Sequence, residues 1–367
     1  MVTLMRSARL HAPGQPLRID SVERPEPRAG DVLVQVRSCG VIPNMNAIFG
    51  GRLWNQLPPL PASVGLDAAG VVAAVGALVT DVRVGERVYV NPWLSCGQCP
   101  YCRATQPMLC SAAAFQGYFG FFPQSLPQME AYPFGGFSEF ITAAPHRLVK
   151  LPDEVSFDQA ARFGYLGTSF AALRAGRVGA GSHVAINGIT GTLGVGATLL
   201  ALGMGATRII GFGRNREVLA KLRSLSPGRV ETLAMGDRPI ADWMREHTDG
   251  LGADVLIDCS ARAASAGVTA DALKGLKRGG IAVNIGALTE ALPLEPMRFM
   301  TSRLHFQGSN WFTTGEGQLM ADMAGSGVLD LSQLTTNAFP LERVNEALEA
   351  VGARPGGFVN IVVHPDR

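Results

Sequence analysis

From Val184 to Ala206 the chain runs for 23 residues without a charged side chain. That length satisfies a crude test for a membrane-spanning helix. Glycines at 188, 191, 194, 196, 203 and 205, with Asn187, Thr190, Thr192 and Thr198, argue against one. The run reads instead as a short apolar strand over 183–187, a glycine loop, and a helix over 195–202. Glycine lets the backbone turn tightly and approach a pyrophosphate closely. The helix N-terminus behind it offers unpaired N–H groups and the positive end of a dipole. The spacing is Gly188-x-x-Gly191-x-x-Gly194, looser than Gly-x-Gly-x-x-Gly. It points to a dinucleotide site on Gly188, Thr190, Gly191, Thr192, Leu193 and Gly194.

The next strand is expected over 208–212 and ends at Gly213-Arg214-Asn215-Arg216. An NAD site usually places Asp or Glu here, about 20 residues past the loop, to hold the ribose 2′-hydroxyl. Glycine stands at that point, and two arginines follow. A carboxylate repels a 2′-phosphate, whereas a guanidinium binds it in a bidentate fork. Gly213, Arg214, Asn215 and Arg216 therefore point to NADP(H).

On either side of this region the chain changes character. Val32, Val34 and Val36 alternate with Leu33, Gln35 and Arg37, the period of a half-buried strand. Val71–Val75 lies between Gly70 and Gly76, and Val82, Val84, Val88 and Val90 surround a Gly85–Glu86 turn. Short strands between glycine turns suggest a small, partly open barrel. From Ser156 the pattern shifts: 158–173 is Ala-rich and helical, and strands then alternate with helices to about Phe306. Such alternation marks an α/β unit, a parallel sheet covered by helices. A helix is expected over 341–351 and a last strand over 358–363. We read a β-rich unit over 1–153, an α/β unit over 154–307, and a return to the first unit over 308–367.

The 367 residues suit two or three domains. Only 17% of them are charged and the net charge is +2, so no overall field attracts nucleic acid or an anionic membrane. Met1–Leu10 carries Arg6 and Arg9 with no apolar signal-like stretch behind them, so a cytoplasmic protein is expected. Without a secretory signal, clustered cysteines suggest a metal rather than disulfides. Cys96-x-x-Cys99-x-x-Cys102-x7-Cys110 puts four thiols on one loop, about 91–115. Zn²⁺ is satisfied by four thiolates at about 2.3 Å and then has no open position for substrate. The expected role is one structural zinc per chain. An iron–sulfur cluster also uses four cysteines, but with different typical spacing. Cys39 and Cys259 stand alone in apolar settings and read as small buried hydrophobes.

Together these features resemble the medium-chain dehydrogenase/reductase superfamily, in its zinc-containing alcohol dehydrogenase branch. The resemblance extends to Gly65-Leu-Asp67-Ala-Ala-Gly70-Val, Val75-Gly76, Gly279–Gly286, Phe339-Pro340-Leu341 and Val344-Asn-Glu-Ala-Leu348. It implies a GroES-like catalytic domain built from both chain ends and a Rossmann domain between them, with Gly286 as a further cofactor residue. It also implies a homodimer or homotetramer joined through the Rossmann sheets.

The resemblance breaks at the catalytic zinc. Where the family has its Cys, His and Cys ligands, this chain aligns Ile42, Leu66 and Phe163, none with a lone pair to offer. Only the neighbouring carboxylate, Asp67, persists, and one acid makes no Zn²⁺ site. No catalytic zinc is therefore expected. Without a Lewis acid, an isolated ketone loses its main electrophilic help, while a conjugated acceptor delocalises the charge. The expectation is an NADPH-dependent reductase of an activated C=C or C=O on a small, apolar or aromatic substrate. An alcohol dehydrogenase or carbonyl reductase, and a non-catalytic NADPH-binding protein, are the alternatives. Asn44, Tyr165 and Asp67 are the catalytic candidates. Trp54, Trp93, Phe119, Phe121 and Phe122 are candidate pocket residues, and no histidine stands at a recognisable ligand position.

Overall fold

Val184, Ala185 and Ile186 are apolar in succession rather than alternately, as a strand covered on both faces requires. All three are fully buried. The computed structural model describes residues 2–52 and 56–367. His183–Asn187 lies inside a parallel sheet of six strands, ordered Val230–Ala234, Arg208–Gly213, His183–Asn187, Ala253–Asp258, Leu276–Asn284 and His305–Gly308. In chain rank this is the 3-2-1-4-5-6 order of dinucleotide-binding folds, with its switch point between the first and fourth strands. The uncharged run is spent on the first strand, a turn, and the twelve-residue helix Thr192–Gly203. Among the described residues no helix is long and apolar enough to cross a membrane.

The valine alternation at 32–36 becomes the central strand Val32–Gly40 of a second, seven-stranded sheet. It pairs antiparallel with Asp67–Val75, Phe140–Ala143 and Val359–His364. Val363 lies opposite Cys39 and Val362 opposite Gly40, so both ends of the chain build one sheet. Val34, Val36, Val72, Val88, Ile141 and Val363 form its core.

Two local expectations change. The helix read over 158–173 is two helices, Phe157–Ala160 and Phe163–Ala175. The break at Ala161–Arg162 falls where the chain passes close to other segments: a Cβ on Gly40 would collide with the Ala161 carbonyl and one on Gly164 with the Asp67 carboxylate. The helix expected from Leu341 begins with a single tight turn, Leu341–Arg343, and continues as Val344–Gly352.

Candidate active site

A cleft of about 600 Å³ opens where the strands His183–Asn187 and Ala253–Asp258 end, and its opposite wall belongs to the β-rich sheet and its loops. The glycine loop forms its floor. Gly188 turns at φ +74°, and a Cβ there would stand 2.9 Å from the Cys259 carbonyl oxygen. A Cβ on Gly194 would collide with the Gly188 carbonyl, which seats the helix against the strand. Thr190, Gly191, Thr192 and Leu193 line the cleft, and the first turn of Thr192–Gly203 leaves N–H groups without helical partners. Gly286 faces them across the switch point, packed against Ser260. This cradle fits a dinucleotide diphosphate.

At the end of the second strand, a side chain on Gly213 would meet the Thr190 side chain at 2.7 Å, so the position expected to carry an acid is closed to one. Arg214 and Asn215 line the cleft, and Asn215 also caps the next helix, its Oδ1 accepting from the Val218 N–H at 3.1 Å. Arg216 is engaged elsewhere, in a two-pronged ion pair with Asp237 at 2.7 and 3.1 Å, outside the cleft lining. Three more arginines line the cleft, Arg162, Arg262 and Arg354, and among the described residues the lining contains neither Asp nor Glu. Sequence spacing gave no signal for these three, which come from separate segments of the chain.

The other half of the cleft is apolar. Ile42 (7% exposed) and Leu66 (3%) line it together with Val41, Phe115, Tyr118, Phe119 and Trp311. Phe163 does not take part. It is fully buried against Tyr89, ring centroids 5.6 Å apart, and Tyr165, two residues on, is the residue that reaches the cleft beside Ile42 and Leu66. Burial holds the Tyr165 phenol above its ordinary range, with the Arg162 charge pulling the other way. Asn44 lies in the same wall, and the Tyr118 hydroxyl donates to its Oδ1 at 2.8 Å. That bond occupies the Asn44 carbonyl oxygen, and among the described residues the amide NH₂ donates no hydrogen bond.

Asp67 sits behind this wall rather than in it. Its Oδ1 accepts from the Tyr89 hydroxyl at 2.7 Å, and its buried Oδ2 has no partner. Burial pushes the carboxyl up to about 7, against the Tyr89 hydrogen bond and the Arg162 charge. Of the candidate aromatics, Phe119 lines the cleft. Trp93 and Phe121 pack behind it around Phe115, and Phe122 is exposed. Trp54 lies outside the described residues. Cys259, expected to be a core residue, is half-buried and lines the cleft.

On the cysteine lobe the four sulfurs of Cys96, Cys99, Cys102 and Cys110 lie within 4.8 Å of one another. Four ligands at about 2.3 Å around a tetrahedral ion stand roughly 3.8 Å apart, so the set fits Zn²⁺. Backbone N–H groups point at the sulfurs, Cys99 N–H to Cys96 Sγ at 3.3 Å and Cys96 N–H to Cys110 Sγ at 3.3 Å. The N–H groups of Cys102 and Ser111 bring the Cys99 thiol down to about 6, whereas burial pushes the Cys110 thiol up. Among the described residues, no other group of three or more His, Cys, Asp or Glu side chains is placed to share one ion.

Comparison with known proteins gives two family matches, the alcohol dehydrogenase GroES-like domain over residues 28–153 and the zinc-binding dehydrogenase over residues 192–325. An alcohol dehydrogenase of Geobacillus stearothermophilus is 31% identical over 349 residues, covering 94% of this chain and 95% of that one. A sorbitol dehydrogenase of Bacillus subtilis is 24% identical, covering 99% and 98%. Among solved structures, a putative zinc-binding dehydrogenase from Sinorhizobium meliloti, bound to NADP, has the same fold with a TM-score of 0.84 at 24% identity, covering 99% of this chain and 100% of that one.

Proposed function

The chain belongs to the medium-chain dehydrogenase/reductase superfamily, in its alcohol dehydrogenase-like branch, and on that premise we propose an NADPH-dependent reductase of activated C=C or C=O bonds that works without a catalytic zinc. That it is an oxidoreductase follows from the membership. The finer reading rests on one observation: the cleft wall beside the cofactor floor is Ile42, Leu66 and Tyr165. Two hydrocarbon side chains and a phenol held in its protonated form are a poor ligand set for Zn²⁺ and a suitable wall for an apolar, conjugated substrate.

NADPH, when bound, supplies the hydride. The chain's own groups must then hold the acceptor and manage charge on its oxygen. The Asn44 amide NH₂, fixed by Tyr118, serves as a hydrogen-bond donor to the substrate carbonyl. The Tyr165 hydroxyl serves as a second donor and as a proton source for the reduced product. Asp67, behind the wall, supports the start of the helix that carries Tyr165. Arg214 takes the 2′-phosphate, and a lining of four arginines without a carboxylate suits a ligand with one phosphate more than NADH.

The names of the relatives favour a second reading, an alcohol dehydrogenase or carbonyl reductase with a metal-assisted step. An NADPH-oxidation screen of conjugated against saturated carbonyls, with and without chelator, separates the two. Tight NADPH binding with no turnover on either class would instead favour a non-catalytic role. For the assembly we propose a homodimer through the strand His305–Gly308. It is an exposed sheet edge, and the helix just before it in the chain carries the exposed Met297 (69%) and Met300 (66%), which light scattering tests.

A further inference from the structure

Arg162 is a charged group to which the mechanism above gives no task beyond its share of the positive charge of the cleft. It lines the cleft yet is only 6% exposed. Its guanidinium donates to two backbone carbonyls, Gly357 at 2.7 Å and Val359 at 3.3 Å. Asp67 acts on it only through space, since Oδ1 of that carboxyl is taken by Tyr89 and Oδ2 has no partner. A cation buried without a bonded counter-charge is expensive. The two carbonyls alone do not call for a charge, because neutral donors can satisfy them as well.

Its placement suggests what compensates it. Gly357, whose carbonyl it holds, donates its own N–H to the Thr190 carbonyl of the glycine loop at 3.0 Å. On the other side, the ring of Tyr165 lies 5.8 Å from the guanidinium carbon. The charge is thus fixed between the cofactor floor and the Ile42–Leu66–Tyr165 wall, in a cleft lined, among the described residues, by no carboxylate.

We propose that Arg162 is an anion seat at the junction of the two halves of the cleft, receiving a negatively charged oxygen of a bound ligand. Two sources carry that oxygen. One is the diphosphate of the dinucleotide. The other is the substrate carbonyl: hydride adds to the far carbon of the conjugated system, the π pair moves onto oxygen, and the charge persists until the α-carbon is protonated. Only the second source rests on the reductase reading.

The test follows NADPH binding to wild type, R162M and R162K through quenching of tryptophan emission (Trp311 lines the cleft), with inorganic pyrophosphate as competitor. If the seat takes a phosphate, R162M loses roughly tenfold or more in affinity for both NADPH and pyrophosphate. R162K, which keeps the charge without the planar fork, then loses less. If it takes the substrate oxygen, nucleotide affinity holds within about twofold while kcat on the best acceptor falls by roughly 100-fold with KM little changed. In that case added guanidinium ion restores part of the rate in R162A. A folded R162M with nucleotide affinity, pyrophosphate affinity and kcat all unchanged overturns the proposal and leaves Arg162 as a strap on Gly357 and Val359. Should R162M fail to fold, R162K decides on the same readings, with a loss of about threefold as the threshold. A wild type that reduces no acceptor defeats the reductase reading; the seat is then judged on NADPH and pyrophosphate alone, and falls if neither weakens.

Discussion

Asp67 is the residue where burial and charge conflict most openly. Its carboxyl is raised to about 7, chiefly by burial, so the folded protein holds a proton that the unfolded chain has released. The stability linked to that proton is complete at pH values below the unfolded carboxyl's range and is lost as pH rises through about 7. Measured against D67N, the wild type should lose up to about 4 kcal/mol between pH 4 and pH 8. Denaturant midpoints across that range check it, and a difference independent of pH would mean the carboxyl is ionised throughout. Arg214 carries the second prediction at this scale. In R214S the affinity for NADPH should fall by about tenfold while that for NADH barely moves; an equal fall for both nucleotides would place the guanidinium away from the 2′-phosphate. Gly213 and Arg214 were legible in the sequence because they follow the end of a strand at fixed spacing. Arg162 and Tyr118 were not, since each matters only through contacts made across the fold.

Among the elements, the cysteine lobe is the one whose chemistry depends least on the rest of the chain. Four ligands inside fifteen residues make a local signal, and the sulfurs converge as the spacing predicts. The variant C102S should lose its zinc and melt at least about 5 °C lower, read by metal analysis and calorimetry on the same sample. Full metal content in that variant would mean the ion sits elsewhere. The helical segment after Ser156 teaches the opposite lesson. Its composition reads as one continuous helix, yet the structure divides it at Ala161–Arg162, where Gly40 and Asp67, distant in sequence, pack closely against Ala161 and Gly164. That break sets the phase of Phe163–Ala175, and the phase decides that Tyr165 faces the cleft and Phe163 the core. No local propensity contains that information.

For the molecule as a whole, the alternation of strands and helices was enough to anticipate the parallel sheet, while its strand order and switch point come from the structure. The cleft was less legible, because its lining is gathered from widely separated stretches: the loops after Gly40 and Gly65, the turn near Phe115, the start of the helix Phe163–Ala175, the glycine loop, the ends of three further strands, and the segment near Arg354. The function we propose amounts to a division of labour, with metal confined to the lobe and hydride transfer left to hydrogen-bond donors and a cationic cleft. Zinc content and turnover measured on one preparation test that division directly. The account predicts one zinc per chain and NADPH-driven reduction of a conjugated carbonyl that persists in chelator. Two zinc ions per chain, with activity lost on chelation and restored by added zinc, would contradict it.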